Sequence, residues 1–193
     1  MESNNKLSIP EILPFMCLND IYLINNCLLP LHIFEMRYRE MIDNVLNESR
    51  IFGIAPAKIN INSSSKIFAS IGILQACKKK DDGTSDLLLI GLSKVRLKKL
   101  YFDKPYLQAE ISLIQNMDEK VDDNLDEKII RIINKKNNQN NFNESIIDNF
   151  QTLNSYDAKI DYAASIITNS NKKREKIFNC IDIKKKISLL EDL

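Results

Sequence analysis

The residues of this 193-residue chain best suited to chemistry lie in "LLPLHIFEMRYREMI", from Leu28 to Ile42. His32 is the only histidine, and Glu35, Arg37, Arg39 and Glu40 follow it closely. An imidazole among carboxylates could serve as a general base and activate a nucleophile for acyl transfer. Such a site also needs a positioned nucleophile and a group that orients the base. No such set surrounds His32. Its neighbours Leu31 and Ile33 place it at a strand end or helix entry, where a lone histidine is more often a structural hydrogen-bonding residue. Ser and Lys are abundant, but no local pattern favours a Ser–Lys dyad.

Other chemistries fail on spacing. A phosphate-binding loop needs glycines that let backbone N–H groups approach the phosphate, then Lys and Ser or Thr. Gly53, Gly72, Gly83 and Gly91 never form that pattern, which excludes both a nucleotide loop and a dinucleotide fingerprint. Zinc needs three or four ligands. Cys17, Cys27, Cys77 and Cys180 lack CxxC spacing and read as reduced thiols that act mainly as small core side chains. Asp118, Asp122, Asp123 and Asp126 lack the central glycine and terminal glutamate of a calcium loop, and they suit the start of a helix better. No catalytic, cofactor-binding or metal-ligating residue is therefore assigned, and no cofactor is expected.

Twenty-seven basic and 26 acidic residues leave a formal net charge of +1, too little to draw the chain to nucleic acid or an anionic membrane. The basic clusters at 78–80, 98–99, 172–174 and 184–186 lie mostly beside acidic residues and read as solvated faces and hairpin tips. The N-terminus carries no basic segment followed by an apolar core, and no apolar stretch approaches the ~18 residues of a membrane span. A cytoplasmic location is expected.

The elements that must position these residues fall into two regions. Up to about residue 117, short apolar runs alternate with turn signals. Strands are expected at 12–15, 21–24, 51–57, 67–77, 86–92, 94–102 and 106–114, with a hairpin at Asp82-Gly83. In the last strand, Leu107, Ala109, Ile111 and Leu113 alternate with polar neighbours. A helix from about Phe34 to Asn47 would bury Phe34, Tyr38, Met41, Ile42 and Val45 and pair Glu35 with Arg39 across one turn. Arg37 and Arg39 would tie that helix to neighbouring strands.

From 118 to 193 Gly and Pro are absent, and apolar residues recur every three or four positions. The stripes are Leu125, Ile129, Ile132 and Ile133; Ile146, Ile147, Phe150 and Leu153; and Ile160, Ala163, Ala164 and Ile167. Ile177 and Ile181 precede a last stripe of Ile183, Ile187 and Leu190, with Asp182 as its N-cap. "MDEKVDDN" (117–124) is the expected junction, and "KKNNQNN" (135–141) the loop after the first helix.

The block "LLPLHIFEMRYREMIDNVLNESRIFGI" resembles the N-terminal domain of Lon proteases, which also occurs in stand-alone proteins and in cereblon. The segments "ASIGILQACKKKDDGTSDLLLIGLSKVRLKKL" and "PYLQAEISLI" extend the likeness, and Lys94 and Arg96 stand where the family carries basic residues after Gly91. The "LINN" at 23–26 departs from the family's "LFPG"-like turn. The signature residues are Pro30, Ile33, Phe34, Glu35, Arg37, Tyr38, Arg39, Phe52, Gly53 and Gly91.

This resemblance implies an α+β fold. An N-terminal PUA-like antiparallel β-barrel or sandwich with an inserted helix (1–117) would be followed by a C-terminal helical bundle (118–193). It further implies a non-enzymatic module that binds unfolded or exposed apolar protein segments and works with a protease or chaperone, the chain ending before any Lon ATPase or peptidase domain. Two other classes stay open. A PUA-like RNA-binding module is opposed by the charge balance, and a small hydrolase would need an unrecognised Ser–Lys or Cys–His site.

Overall fold

A computed structural model describes residues 8–59, 67–114, 124–136 and 144–193. The chain divides into two compact units, Met1–Leu23 with Cys27–Leu113, and Ile24–Asn26 with Ile114–Leu193. The expected boundary at 117/118 and most of the Asn-rich loop lie outside the described residues.

The first unit holds β1 (Ile12–Leu18), β2 (Leu28–Ile33), α1 (Met36–Asn47), β3 (Ile51–Pro56), β4 (Phe68–Lys79), β5 (Ser85–Tyr101) and β6 (Leu107–Leu113). The strands form one sheet in the order β2-β5-β4-β3-β1-β6, and β5 also pairs with β6. The result is sandwich-like, because β5 is long enough to serve two regions of the sheet. Its first part pairs with β2, and its last part pairs with β6. The two expected strands at 86–92 and 94–102 are this single strand, bent rather than broken. Register shifts against β4 and β6 supply the bend, each inserting an unmatched residue that increases local twist.

The sheet is not wholly antiparallel as expected, since β1 and β3 run parallel. Parallel strands buried on both faces read as continuous apolar runs, and "IFGIA" is buried at every position from Ile51 to Ala55. Ile51 and Ala55 face one core cluster with Phe15, Ile71 and Leu97, whereas Phe52 and Ile54 face another with Met41, Ile42 and Leu89. The helix α1 covers the second cluster with Tyr38, Met41, Ile42 and Val45.

Residues 21–24 do not form the expected strand. Leu23 is buried, and Asn26 turns the chain with a positive φ of 61°, which Asn tolerates better than most residues. The Asp82-Gly83 hairpin is present. Gly83 N–H donates to the Lys80 carbonyl at 2.9 Å and Lys80 N–H to the Thr84 carbonyl at 2.9 Å, with Gly83 at φ 79°. That is a three-residue loop closed by a glycine bulge.

The second unit contains α2 (Leu125–Lys136), α3 (Glu144–Gln151), α4 (Tyr156–Ile167), α5 (Asn171–Phe178) and α6 (Ile183–Glu191). Leu125, Ile129, Phe150, Ile160, Ala164, Ile177 and Leu190 meet in its core, as the apolar spacing predicts. Ile181 differs: it is 51% exposed because it falls in the α5–α6 link rather than on a helix face. Asp182 caps α6 by accepting from Lys185 N–H at 3.0 Å.

The lysine run at 184–186 is not uniformly solvated. Lys186 has 0% exposure, and its Nζ lies 2.5 Å from Asp157 Oδ1, 2.7 Å from Asp161 Oδ1 and 3.0 Å from the Asp157 carbonyl. A buried ammonium requires such partners, because stripping its water costs several kcal/mol otherwise.

Candidate functional site

The first unit exposes its signature block at one corner, where β2 passes through Phe34 and Glu35 into α1. Along β2, Leu28, Pro30 and His32 face outward, while Leu29, Leu31 and Ile33 face inward. Both faces carry apolar side chains, so strand alternation is hidden in "LLPLHI". The outward row continues through Phe34, 62% exposed, to Met36, 75% exposed. His32 stacks on Phe34 with ring centroids 6.3 Å apart.

Phe34 is therefore not on the buried face of α1, as the helical spacing predicts. The helix starts at Met36, and Glu35 occupies the N-cap with extended φ −68° and ψ 130°, so Phe34 lies between β2 and the helix and is exposed to solvent. The same late start removes the Glu35–Arg39 helical pair. Glu35 Oε2 instead accepts from Arg37 Nε at 2.8 Å, and the Arg37 guanidinium lies 4.4 Å from the centre of the Tyr38 ring.

Among the described residues Arg39, and not Arg37, makes the expected hydrogen-bonded tie to a neighbouring strand pair. Its Nε donates to the Phe34 carbonyl at 2.9 Å, and its Nη1 donates to the Asp82 carbonyl at the β4–β5 hairpin tip at 3.3 Å. A side chain on Gly83 would meet the same guanidinium at 2.8 Å. One planar fork thus joins the corner backbone to the hairpin, which a lysine could not do with the same geometry.

His32 is held across the β2–β5 ladder. Its Nδ1 lies 2.7 Å from Asp86 Oδ1, and Lys80 Nζ lies 2.8 Å from Asp86 Oδ2. Hydrogen bonds from Lys80 and then His32 hold the Asp86 carboxyl below its usual 3.8. This is a cross-strand ion cluster, with no nucleophile among its contacts. Burial pushes the Cys17 thiol above 9.0 despite the opposing Arg37 charge, and burial also raises Cys27, which disfavours the reactive thiolate. All four cysteines are free. Among the described residues no group of three or more His, Cys, Asp or Glu is placed to hold a metal, and no helix is long and apolar enough to cross a membrane.

The remaining signature residues serve the sheet. Ile33, Tyr38 and Phe52 are buried in the cluster beneath α1. Gly53 lies opposite Phe15 in the β1–β3 ladder, where a Cβ would stand 2.0 Å from the ring. Gly91 donates to the Cys27 carbonyl at 3.0 Å and pairs in register with Gly72. Sequence reasoning missed the outward Leu28 and Met36. The only signal for them was that each lies an even number of residues from Pro30, His32 and Phe34.

Comparison with known proteins agrees with this architecture. The description "ATP-dependent protease La (LON) substrate-binding domain" matches residues 12–193. The chain is 24% identical over 191 residues to Lon protease of Desulfosudis oleivorans, covering 91% of this chain and 23% of that protein. It is 22% identical over 200 residues to Lon protease of Dictyoglomus thermophilum, covering 96% and 24%. It thus spans about a quarter of the length of these relatives.

The fold is similar to the N-terminal domain of Mycobacterium avium complex Lon protease, with TM-score 0.73, 16% identity and coverage of 94% and 96% of the two chains. It is also similar to a Lon N-terminal domain protein from Xanthomonas campestris, with TM-score 0.65, 14% identity and coverage of 93% and 96%. The chain belongs to the Lon substrate-binding domain family.

Proposed function

We propose that this chain is a non-enzymatic recognition module that binds unfolded or exposed apolar protein segments and presents them to a proteolytic or chaperone partner in the cytoplasm. The observation that carries this reading is the exposed row Leu28, Pro30, Phe34 and Met36 on the corner held by Arg39. Large apolar side chains held in solvent at one rigid corner gain free energy when a partner covers them, at about 25 cal/mol per Å2 of apolar surface buried. The flanking Glu35–Arg37 and His32–Asp86–Lys80 groups form a polar rim, as recognition surfaces commonly have.

The test is binding of reduced, carboxymethylated lactalbumin, a permanently unfolded probe, followed by fluorescence anisotropy. The native protein should bind the probe but not folded lactalbumin. Phe34→Ser with Met36→Ser should weaken binding about tenfold or more while thermal unfolding stays within about 0.5 kcal/mol, as expected for exposed positions. Equal affinity for the double variant would overturn the assignment of this surface.

A further inference from the structure

The backbone of β2 has a chemistry of its own, separate from its side chains. In an antiparallel pair, residues alternate between those that exchange both hydrogen bonds with the neighbour and those whose N–H and C=O point away. Gly91 N–H donates to the Cys27 carbonyl, and the β2–β5 register runs Leu28↔Ile90 to Ile33↔Ser85. Leu29, Leu31 and Ile33 therefore spend their amides on β5. Leu28, Pro30 and His32 turn their backbone groups to the other side, where β2 is the edge of the sheet. Pro30 sits on that parity because it has no N–H to give β5. The open edge thus offers N–H donors at Leu28 and His32 and carbonyls at Leu28, Pro30 and His32, with no partner among the described residues.

We propose that this edge receives an extended segment of an unfolded chain as an added strand, paired through the Leu28 and His32 amides. The proposal rests on the reading above and specifies its binding mode. A row of alternating outward donors and acceptors is matched by another extended backbone. Main-chain pairing is indifferent to sequence, so side-chain preference would come from Leu28, Pro30 and Phe34.

A second copy of the chain is a poor occupant. Antiparallel pairing of β2 with itself about a twofold axis at Pro30 would set Pro30 against Pro30, each carbonyl facing the other proline's ring nitrogen, which has no N–H to donate. The missing donor blunts edge-to-edge association of identical chains and leaves a short foreign strand the better complement.

Hydrogen exchange followed by NMR, with and without carboxymethylated lactalbumin, tests this on the unaltered protein. The amides of Leu28 and His32 should slow about tenfold or more when the probe binds, while Leu29, Leu31 and Ile33 stay as they were. Leu28→Pro, which deletes an outward donor but no bond to β5, should weaken binding more than Leu28→Ala. Probe binding without protection at Leu28 and His32 would overturn strand addition and leave the apolar surface standing. Absence of probe binding would overturn both. Protection that rises with protein concentration and no probe would identify a second copy and also overturn the proposal.

Discussion

The Tyr38 hydroxyl takes the place of a strand beside Cys17. It accepts from Cys17 N–H at 3.0 Å and donates to the Cys17 carbonyl at 3.2 Å. The reason lies in the lengths of two strands: β6 pairs with β1 only as far as Phe15, whereas β1 pairs with β3 as far as Leu18. Past Phe15 the β6 side of β1 has no strand partner, and a side chain from α1 closes it. Tyr38 is 4% exposed, so water does not readily replace that hydroxyl.

Tyr38→Phe keeps the ring and its packing but leaves a backbone donor and acceptor unpaired. The variant should lose about 1–3 kcal/mol in urea unfolding. An unchanged midpoint would mean that water or the Cys17 backbone compensates.

Gly53 and Phe15 form a matched pair in the β1–β3 ladder. Gly53→Ala drives a methyl group into the ring and should cost about 1–3 kcal/mol or more. In a Phe15→Leu background the same change should cost less by about 1 kcal/mol, and a double-mutant cycle on unfolding free energies reads the coupling.

Asp86 gives the corner an acid limit. Its carboxyl titrates below 3.8 because Lys80 and His32 bond to it. A folded value depressed below the unfolded one stabilises the protein above the unfolded value, and that contribution disappears as pH falls through the folded value. Asp86→Asn should therefore lower the melting temperature slightly at pH 6, and the difference should shrink as the pH falls from the unfolded value and vanish once it has passed below the depressed folded one. A difference that persists at pH 2 would mean that the side chain matters through shape rather than charge.

Lys186 should dominate the helical unit. Lys186→Met removes the cation and strands Asp157 and Asp161 beside an apolar group, for a loss of about 3–5 kcal/mol. Lys184→Met and Lys185→Met, on the exposed side of the same helix, should change stability by less than about 0.5 kcal/mol. Comparing the three by chemical denaturation separates burial from charge count.

Most element positions were legible because they rest on local rules. Alternation in "LQAEISL", the Asp82-Gly83 turn and the Asp182 cap each need only a few neighbouring residues. The resemblance to Lon N-terminal domains marked residues 30–39 as part of a family signature but named no binding surface. The parallel β1–β3 pair was not legible, since "IFGIA" is apolar throughout and shows burial without showing direction. Nor was the start of α1. Helical spacing from Phe34 to Val45 is satisfied equally well by a helix that contains Phe34 and by one that begins two residues later.

The two lysine clusters mark the same boundary. "KKKDD" and "DIKKKIS" look alike as strings, yet Lys80 reaches a surface carboxylate and Lys186 lies in a core. The sequence by itself determined the family, the β-rich and helical halves, the hairpin and the Asp182 cap, because spacing and turn chemistry act over a few residues. Only the tertiary structure decided that Phe34 and Met36 face water, that Arg39 joins the corner to the hairpin, and that β2 ends the sheet with the Leu28 and His32 amides turned away from β5. Exposure and strand order depend on which segments meet across the fold, and no local pattern of residue types carries that information.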